Sequence, residues 1–159
     1  MRNASGWLKF RLFILVGGIA LVLGTARAVD QTSSLNPAAI GIQLPANIHW
    51  TDEPSGARIA KVLGDPDKPG LYVIFYEWTA HHMSHPHWHA YDRYVTVLSG
   101  TWWVGTGTKF EPDKTVPLPT GSFVTHFAKQ VHYDGAKDAD VVLEIVGQGP
   151  ATSTPAETP

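Results

Sequence analysis

The chain has 159 residues, which is enough for one domain and too few for two of ordinary size. It contains no cysteine, so no disulfide can stabilise the fold and a hydrophobic core must do so. Twelve basic residues stand against fourteen acidic ones, and this balance excludes nucleic acid or an anionic membrane as a partner attracted by net charge.

The first 28 residues have the pattern of a secretory signal peptide. A positively charged start is followed by the apolar run Leu12 to Gly24 and by the small-residue pattern at Ala26 to Ala28. A membrane-spanning helix needs about 20 apolar residues, and this run is shorter. We therefore expect cleavage after Ala28 and a secreted or periplasmic protein that carries no membrane segment; an uncleaved N-terminal anchor is the alternative.

Two polar segments flank the domain. Residues 29–47 are rich in Ser, Thr, Pro, Ala and Gln, and they are predicted to form an arm over the domain or over a partner subunit. Residues 149–159 contain three prolines and no core residue, which predicts a disordered C-terminal tail. Residues 48–148 are left as the folded domain.

Within the domain, apolar residues recur with a period near two, and glycine or proline marks the breaks. The predicted strands are residues 57–63, 71–79, 92–100, 101–107, 121–127, 130–135 and 140–147. The third and fourth of these are predicted to pair as a hairpin. No segment keeps a helical period over ten residues, so we expect an all-β protein, an antiparallel sandwich or small barrel.

A histidine-rich stretch carries the strongest chemical signal. His85, His87 and His89 alternate, so they share one face if the segment is extended. Neutral imidazoles on one face bind first-row divalent metals. A site needs a further ligand from elsewhere in the chain, and His132 on a later strand is the candidate.

This stretch resembles the first motif of the cupin superfamily, which reads His-x-His, three or four residues, Glu, six residues, Gly. His87 and His89 supply the pair, and Gly100 stands at the matching distance. Arg93 occupies the position of the motif's glutamate.

The second cupin motif, Pro-x-Gly-x-x-His, keeps only its histidine, His132, because Phe127 and Lys129 replace the proline and the glycine. The resemblance covers roughly residues 48 to 150. It implies a small single-domain RmlC-like cupin, an antiparallel double-stranded β-helix or jelly-roll barrel. It further implies metal ligands at His87, His89 and His132, and a homodimer.

Arg93 has the same strand parity as the two histidines, so it also points inward on a regular strand. A guanidinium stays protonated, cannot ligate a cation and repels one. A +1 and a +2 charge about 6 Å apart cost on the order of 5 kcal/mol at an effective dielectric of about 20. This cost is enough to decide whether a metal is bound unless a carboxylate intervenes, and Glu144 on the last strand or Glu77 before the histidines could supply one.

Three arrangements stay open. In the first, three histidines and water hold Fe, Mn, Ni, Cu or Zn, and Arg93 binds the carboxylate or oxyanion of a substrate. In the second, Glu144 or Glu77 completes a four-ligand set. In the third, no metal is bound, and Arg93 forms an anion-binding pocket with the histidines.

Other residues are assigned by position alone. Tyr76, Glu77 and Trp102 are predicted to line the cavity and contact the substrate beside Arg93. His85 is predicted to lie at the rim rather than to act as a fourth ligand. His126 has the parity of Val124 and is predicted to be a barrel or edge histidine whose hydrogen bonds are satisfied.

Two functions fit these residues. The first is an exported metal-dependent enzyme, of oxygenase, isomerase or lyase type, acting on a small anion. The second is a non-catalytic module that binds or senses a small anion, with or without metal. A fold of this kind hosts many activities, so the site must decide between them.

Overall fold

The computed structural model describes residues 32–159, and the predicted signal peptide lies outside them. Residues up to Ile42 belong to one unit and residues 43–159 to a second. The described part of the first unit makes local turns, in which the N–H groups of Ala39 and Ile40 donate to the carbonyl of Asn36. Within residues 32–159, no helix has the length and hydropathy to cross a membrane.

The second unit consists of two antiparallel sheets. Its strands are β1 (Thr51–Asp52), β2 (Ala57–Leu63), β3 (Gly70–Trp78), β4 (His87–Trp88), β5 (Arg93–Ser99), β6 (Thr101–Thr106), β7 (Val116–Pro119), β8 (Phe123–His126), β9 (His132–Gly135), β10 (Val141–Gly149) and β11 (Thr154–Pro155). Short 3-10 helices span Pro45–Asn47 and Pro112–Lys114. One sheet has the order β1-β2-β3-β10-β5-β8 and the other β11-β4-β9-β6-β7. The all-β prediction is confirmed.

Strand alternation places the core between the sheets. On β10, Val141, Leu143 and Ile145 are buried, whereas the residues between them are half-buried. The same alternation on the neighbouring strands and on β6 buries Tyr72, Ile74, Trp78, Val95, Val97 and Trp102. Burying each such side chain contributes about 1.5–3 kcal/mol, and this set replaces the disulfides that the chain lacks.

The predicted hairpin of residues 92–100 and 101–107 is wrong. β5 pairs with β10 and β8, whereas β6 pairs with β7 and β9 in the other sheet. Gly100 between them has φ +80°, and an added Cβ would lie 2.5 Å from the carbonyl oxygen of Asp140. The turn at this glycine carries the chain from one sheet to the other instead of folding it back.

The prediction of a disordered tail at residues 149–159 is also wrong. β10 continues to Gly149, and β11 pairs with β4. The N–H of Ala156 donates to the carbonyl of Pro86, and that of Thr158 to the carbonyl of Thr108. The tail is ordered because β4 would otherwise be an uncovered sheet edge, and edge backbone groups need partners.

Candidate metal centre

Three imidazole rings meet between the sheets. His87 on β4 pairs directly with His132 on β9, and His89 follows β4 by one residue. The ring centroids lie 4.8 Å apart for His87 and His89, 4.6 Å for His87 and His132, and 5.1 Å for His89 and His132. One nitrogen from each ring lies within 4.8 Å of the other two, so the group is compact enough for one ion.

Backbone carbonyls determine which nitrogen of each ring carries the proton. The carbonyl oxygen of His85 lies 2.8 Å from Nδ1 of His87. The carbonyl oxygen of Thr152 lies 2.5 Å from Nδ1 of His89, and that of Gln130 lies 3.1 Å from Nδ1 of His132. A carbonyl only accepts, so each Nδ1 donates and each Nε2 keeps its lone pair. Histidines that bind metals use this arrangement, with one ring nitrogen oriented by a carbonyl or carboxylate.

The donor set fits a first-row divalent ion. Nε2 of His132 is buried and has no hydrogen-bond partner. Desolvation lowers the pKa of His132 to about 4. Desolvation, with the nearby charge of Arg93, lowers the pKa of His89 to about 2. Both rings are therefore neutral near pH 7, which is the form that binds metal.

Arg93 begins β5 and lines the same cavity. Its Nη1 lies 2.6 Å from Nε2 and 3.3 Å from Nδ1 of His89, so the guanidinium sits against the imidazole ring. Its Nε is buried without a partner. Across residues 32–159 the guanidinium makes no salt bridge, since the ion pairs of the domain lie elsewhere. Arg93 therefore forms no ion pair, although the carboxylates of Glu53 and Asp134 also line the cavity.

A fourth imidazole, which the sequence analysis did not assign to the site, belongs to His126 on β8. His126 pairs across strands with Arg93, and its ring centroid lies 3.7 Å from that of His132. It is 7% exposed, and neither ring nitrogen has a partner. Desolvation and the neighbouring His132 lower its pKa to about 2. The prediction of satisfied hydrogen bonds is wrong for this residue, although its parity with Val124 indicated the inward direction.

Neither candidate glutamate reaches the site. Glu144 lies on β10 between Leu143 and Ile145, which face the cavity, so Glu144 faces the other side of the sheet. Glu77 faces outward on β3, and its carboxylate accepts a 2.9 Å hydrogen bond from Arg58. The predictions of Glu144 or Glu77 as a ligand, and of Glu77 as a cavity residue, are wrong because strand alternation turns both away.

The rings and Arg93 share a cavity of about 610 Å³. Tyr76 and Trp102 are among its lining residues, and burial raises the pKa of Tyr76. The rest of the wall is mainly apolar and includes Ile59, Tyr72, Ile74, Trp78, Val95, Leu143 and Ile145. The C-terminal tail supplies Ala151, Thr152 and Ser153, so the segment expected to be disordered closes part of the site.

Asp134 on β9 supports one wall of this cavity. The residue is 7% exposed, and its Oδ1 accepts hydrogen bonds from Nε1 of Trp78 at 2.9 Å and of Trp102 at 3.1 Å. We expect Asp134→Ala to lower the free energy of unfolding by about 2–4 kcal/mol, because two buried indole N–H groups lose their acceptor. Urea denaturation followed by tryptophan fluorescence measures the loss. Asp134→Asn keeps an acceptor oxygen and should lose less; equal losses would contradict this role.

The loop before His132 contains a lysine in a backbone conformation that favours glycine. Lys129 stands at the motif's glycine position and has φ +60°, a conformation that glycine adopts most easily. Its N–H donates to the carbonyl of His89 at 2.8 Å. This contact ties the loop that delivers His132 to the segment that delivers His89.

No family model matches the chain, and no curated protein does either. Solved structures match it over most of its length. The polyketide cyclase RemF from Streptomyces resistomycificus superimposes with a TM-score of 0.62 at 14% identity, over 76% of this chain and 87% of that one. An RmlC-like cupin from Ralstonia eutropha gives a TM-score of 0.56 at 15% identity, over 71% of each chain. KdgF from Halomonas sp. gives a TM-score of 0.54 at 16% identity, over 69% of this chain and 94% of that one.

At these identities the likeness concerns the fold. The chain has the double-stranded β-helix of RmlC-like and other cupins, as its first motif predicted.

Proposed function

We propose that this chain, which has the cupin fold, is an exported protein that holds a divalent transition metal and acts on a small anionic substrate. One observation carries the proposal: the Nδ1 atoms of His87, His89 and His132 all lie against backbone carbonyls, so three lone pairs are left for one ion. When bound, such an ion supplies Lewis-acid or oxygen-activating chemistry.

Arg93 is the residue that selects an anion. A guanidinium binds carboxylates and phosphates through paired N–H groups, and this one has a buried Nε without a partner. Its position beside His89 holds a substrate carboxylate next to the imidazoles. Oxygenase chemistry is the first class to assay, and isomerase and lyase chemistry come next.

The cavity walls favour a substrate with an apolar body. Aromatic side chains such as Tyr76 and Trp102 line the cavity, and burial raises the pKa of the Tyr76 hydroxyl above its usual value. RemF, one of the structural neighbours, is a polyketide cyclase, which supports including aromatic acids among the first compounds tested.

Ligand-induced thermal shifts test the anion site. We expect small carboxylic acids to raise the melting temperature of the metal-loaded protein in proportion to the logarithm of their concentration, and their neutral amides to leave it unchanged. Arg93→Met should abolish the shift. Arg58→Met is the matched control, because Arg58 pairs with Glu77 outside the cavity. A shift that survives in Arg93→Met would contradict the assignment.

A second function is favoured by one contact. Because Nη1 of Arg93 lies 2.6 Å from Nε2 of His89 and would repel an ion bound there, the same residues can form a metal-free pocket that binds or senses an anion without turnover. A protein that is empty as purified, cannot be refilled with metal and still shows the carboxylate shift would support this second function.

We also propose that the chain forms a homodimer through the outer face of the six-stranded sheet. Tyr94 and Phe123 stack there with centroids 6.4 Å apart, and Leu71 on the same face is 54% exposed. Burying such side chains against a second copy is the usual way to remove them from water. Light scattering gives the mass in solution; a monomer at all concentrations would contradict the proposal.

A further inference from the structure

Arg93 and a metal ion on His89 need the same space. Nη1 of Arg93 lies 2.6 Å from Nε2 and 3.3 Å from Nδ1 of His89, so it sits against the ring, beside the atom that a ligated ion would contact. His89 has no other lone pair to offer, because its Nδ1 donates to the carbonyl of Thr152. The ring is 5% exposed and held by that contact, so it cannot readily turn to serve both partners.

We infer that metal binding and anion binding in this cavity are coupled through Arg93. The guanidinium competes with the metal for His89 until an anion neutralises it and draws it away from the ring. This inference rests on the proposed function and adds to it a mutual dependence of the two ligands.

Two contributions act in the same direction. A carboxylate on the guanidinium removes the positive charge that repels the ion, and no carboxylate within residues 32–159 already forms an ion pair with Arg93. It also competes for the N–H groups of Arg93, whose Nε is buried without a partner. Both effects release Nε2 of His89.

The coupling is reciprocal. If the anion raises the metal affinity by a given factor, the metal must raise the anion affinity by the same factor. Couplings between ligand sites typically span about 5- to 150-fold. The site therefore holds its metal tightly only while its anionic ligand is present.

Zinc affinity of the full-length chain, measured by competition with a chelator, provides the test. We expect saturating benzoate to tighten Zn²⁺ binding at least about fivefold, and the neutral benzamide to change it less than about twofold. Benzoate is chosen because it joins one carboxylate to an aromatic body that the apolar walls accommodate.

Variants separate Arg93 from direct contact between benzoate and the ion. In Arg93→Met, Zn²⁺ should bind at least about tenfold more tightly without benzoate, and the benzoate effect should fall below about twofold. Arg93→Gln is a second uncharged variant, used if circular dichroism shows that Arg93→Met is not folded. Arg58→Met should behave like the wild type, since it removes an arginine outside the cavity.

Three results overturn the inference while the metal centre stands. They are a Zn²⁺ affinity in the wild type that benzoate does not change, a benzoate effect that persists in the Arg93 variants, and equal Zn²⁺ affinities in wild type and Arg93 variants. If neither the wild type nor the Arg93 variants bind Zn²⁺, the metal centre fails together with the inference.

Discussion

His132→Ala is expected to lower the affinity for a divalent metal by about 100-fold or more. The substitution removes one of three imidazole nitrogens that lie within 4.8 Å of one another, and the two that remain cannot complete a protein site alone. Losing even a group that merely orients a ligand costs about 10- to 100-fold, so losing the ligand should cost at least as much. Chelator competition with Zn²⁺ or Co²⁺ measures the change.

The matched control is His85→Ala. His85 is also in the histidine-rich stretch, but its side chain is 66% exposed and its Nδ1 lies 2.7 Å from a carboxylate oxygen of Glu157. The backbone carbonyl that accepts from Nδ1 of His87 is kept in this variant. We expect its metal affinity to stay within about threefold of the wild type. Equal affinities in His132→Ala and His85→Ala would remove His132 from the ligand set.

Acid is expected to destabilise the metal-free protein strongly between pH 6.5 and 4.5. Burial lowers the pKa of His89 and His126 to about 2 and that of His132 to about 4, whereas an unfolded histidine keeps a pKa near 6.5. The unfolded chain therefore binds more protons below pH 6.5, and the stability present above that pH is lost as the pH falls. Each ring lowers the free energy of unfolding by about 1.4 kcal/mol per pH unit, so the three rings together lower it by several kcal/mol.

Denaturant unfolding of chelator-treated protein across this pH range measures the slope of the free energy of unfolding against pH. His126→Leu should make the slope shallower, because it removes one of the three buried rings that resist protonation. At pH 7 the same variant should be more stable by about 1 kcal/mol, since a buried ring without hydrogen-bond partners is replaced by an apolar side chain of similar size. A slope unchanged by His126→Leu would show that this ring titrates as it does in the unfolded chain.

Strand periodicity accounts for much of what could be predicted. A two-residue period places His87 and His89 on one face, and the structure brings Arg93 into the same cavity. It does not say which face of a strand is the inner one when both faces carry apolar residues. On β3 and β10, Phe75 and Val146 face outward while Tyr76 and Ile145 line the cavity, so Glu77 and Glu144 were assigned to the wrong side.

Features that depend on distant partners could not be predicted from local sequence. The strand β7 (Val116–Pro119) was not predicted because it contains two prolines. Proline is tolerated in this strand because β7 lies at a sheet edge. The composition of the tail predicts disorder, but in the structure the tail pairs with β4. This pairing places the carbonyl of Thr152 where it orients His89. The ring of His126 lacks hydrogen-bond partners because of the way four separate segments pack around it, and no single sequence motif predicts that packing.

Elemental analysis of the protein, purified without chelator and again after refilling, tests the metal centre most directly. We predict about one Fe, Mn, Ni, Cu or Zn per chain as purified or after refilling, and none retained by His87→Ala. A wild-type chain that is empty as purified and cannot be refilled with any of these ions would contradict the metal centre and leave an anion pocket formed by Arg93 and the histidines.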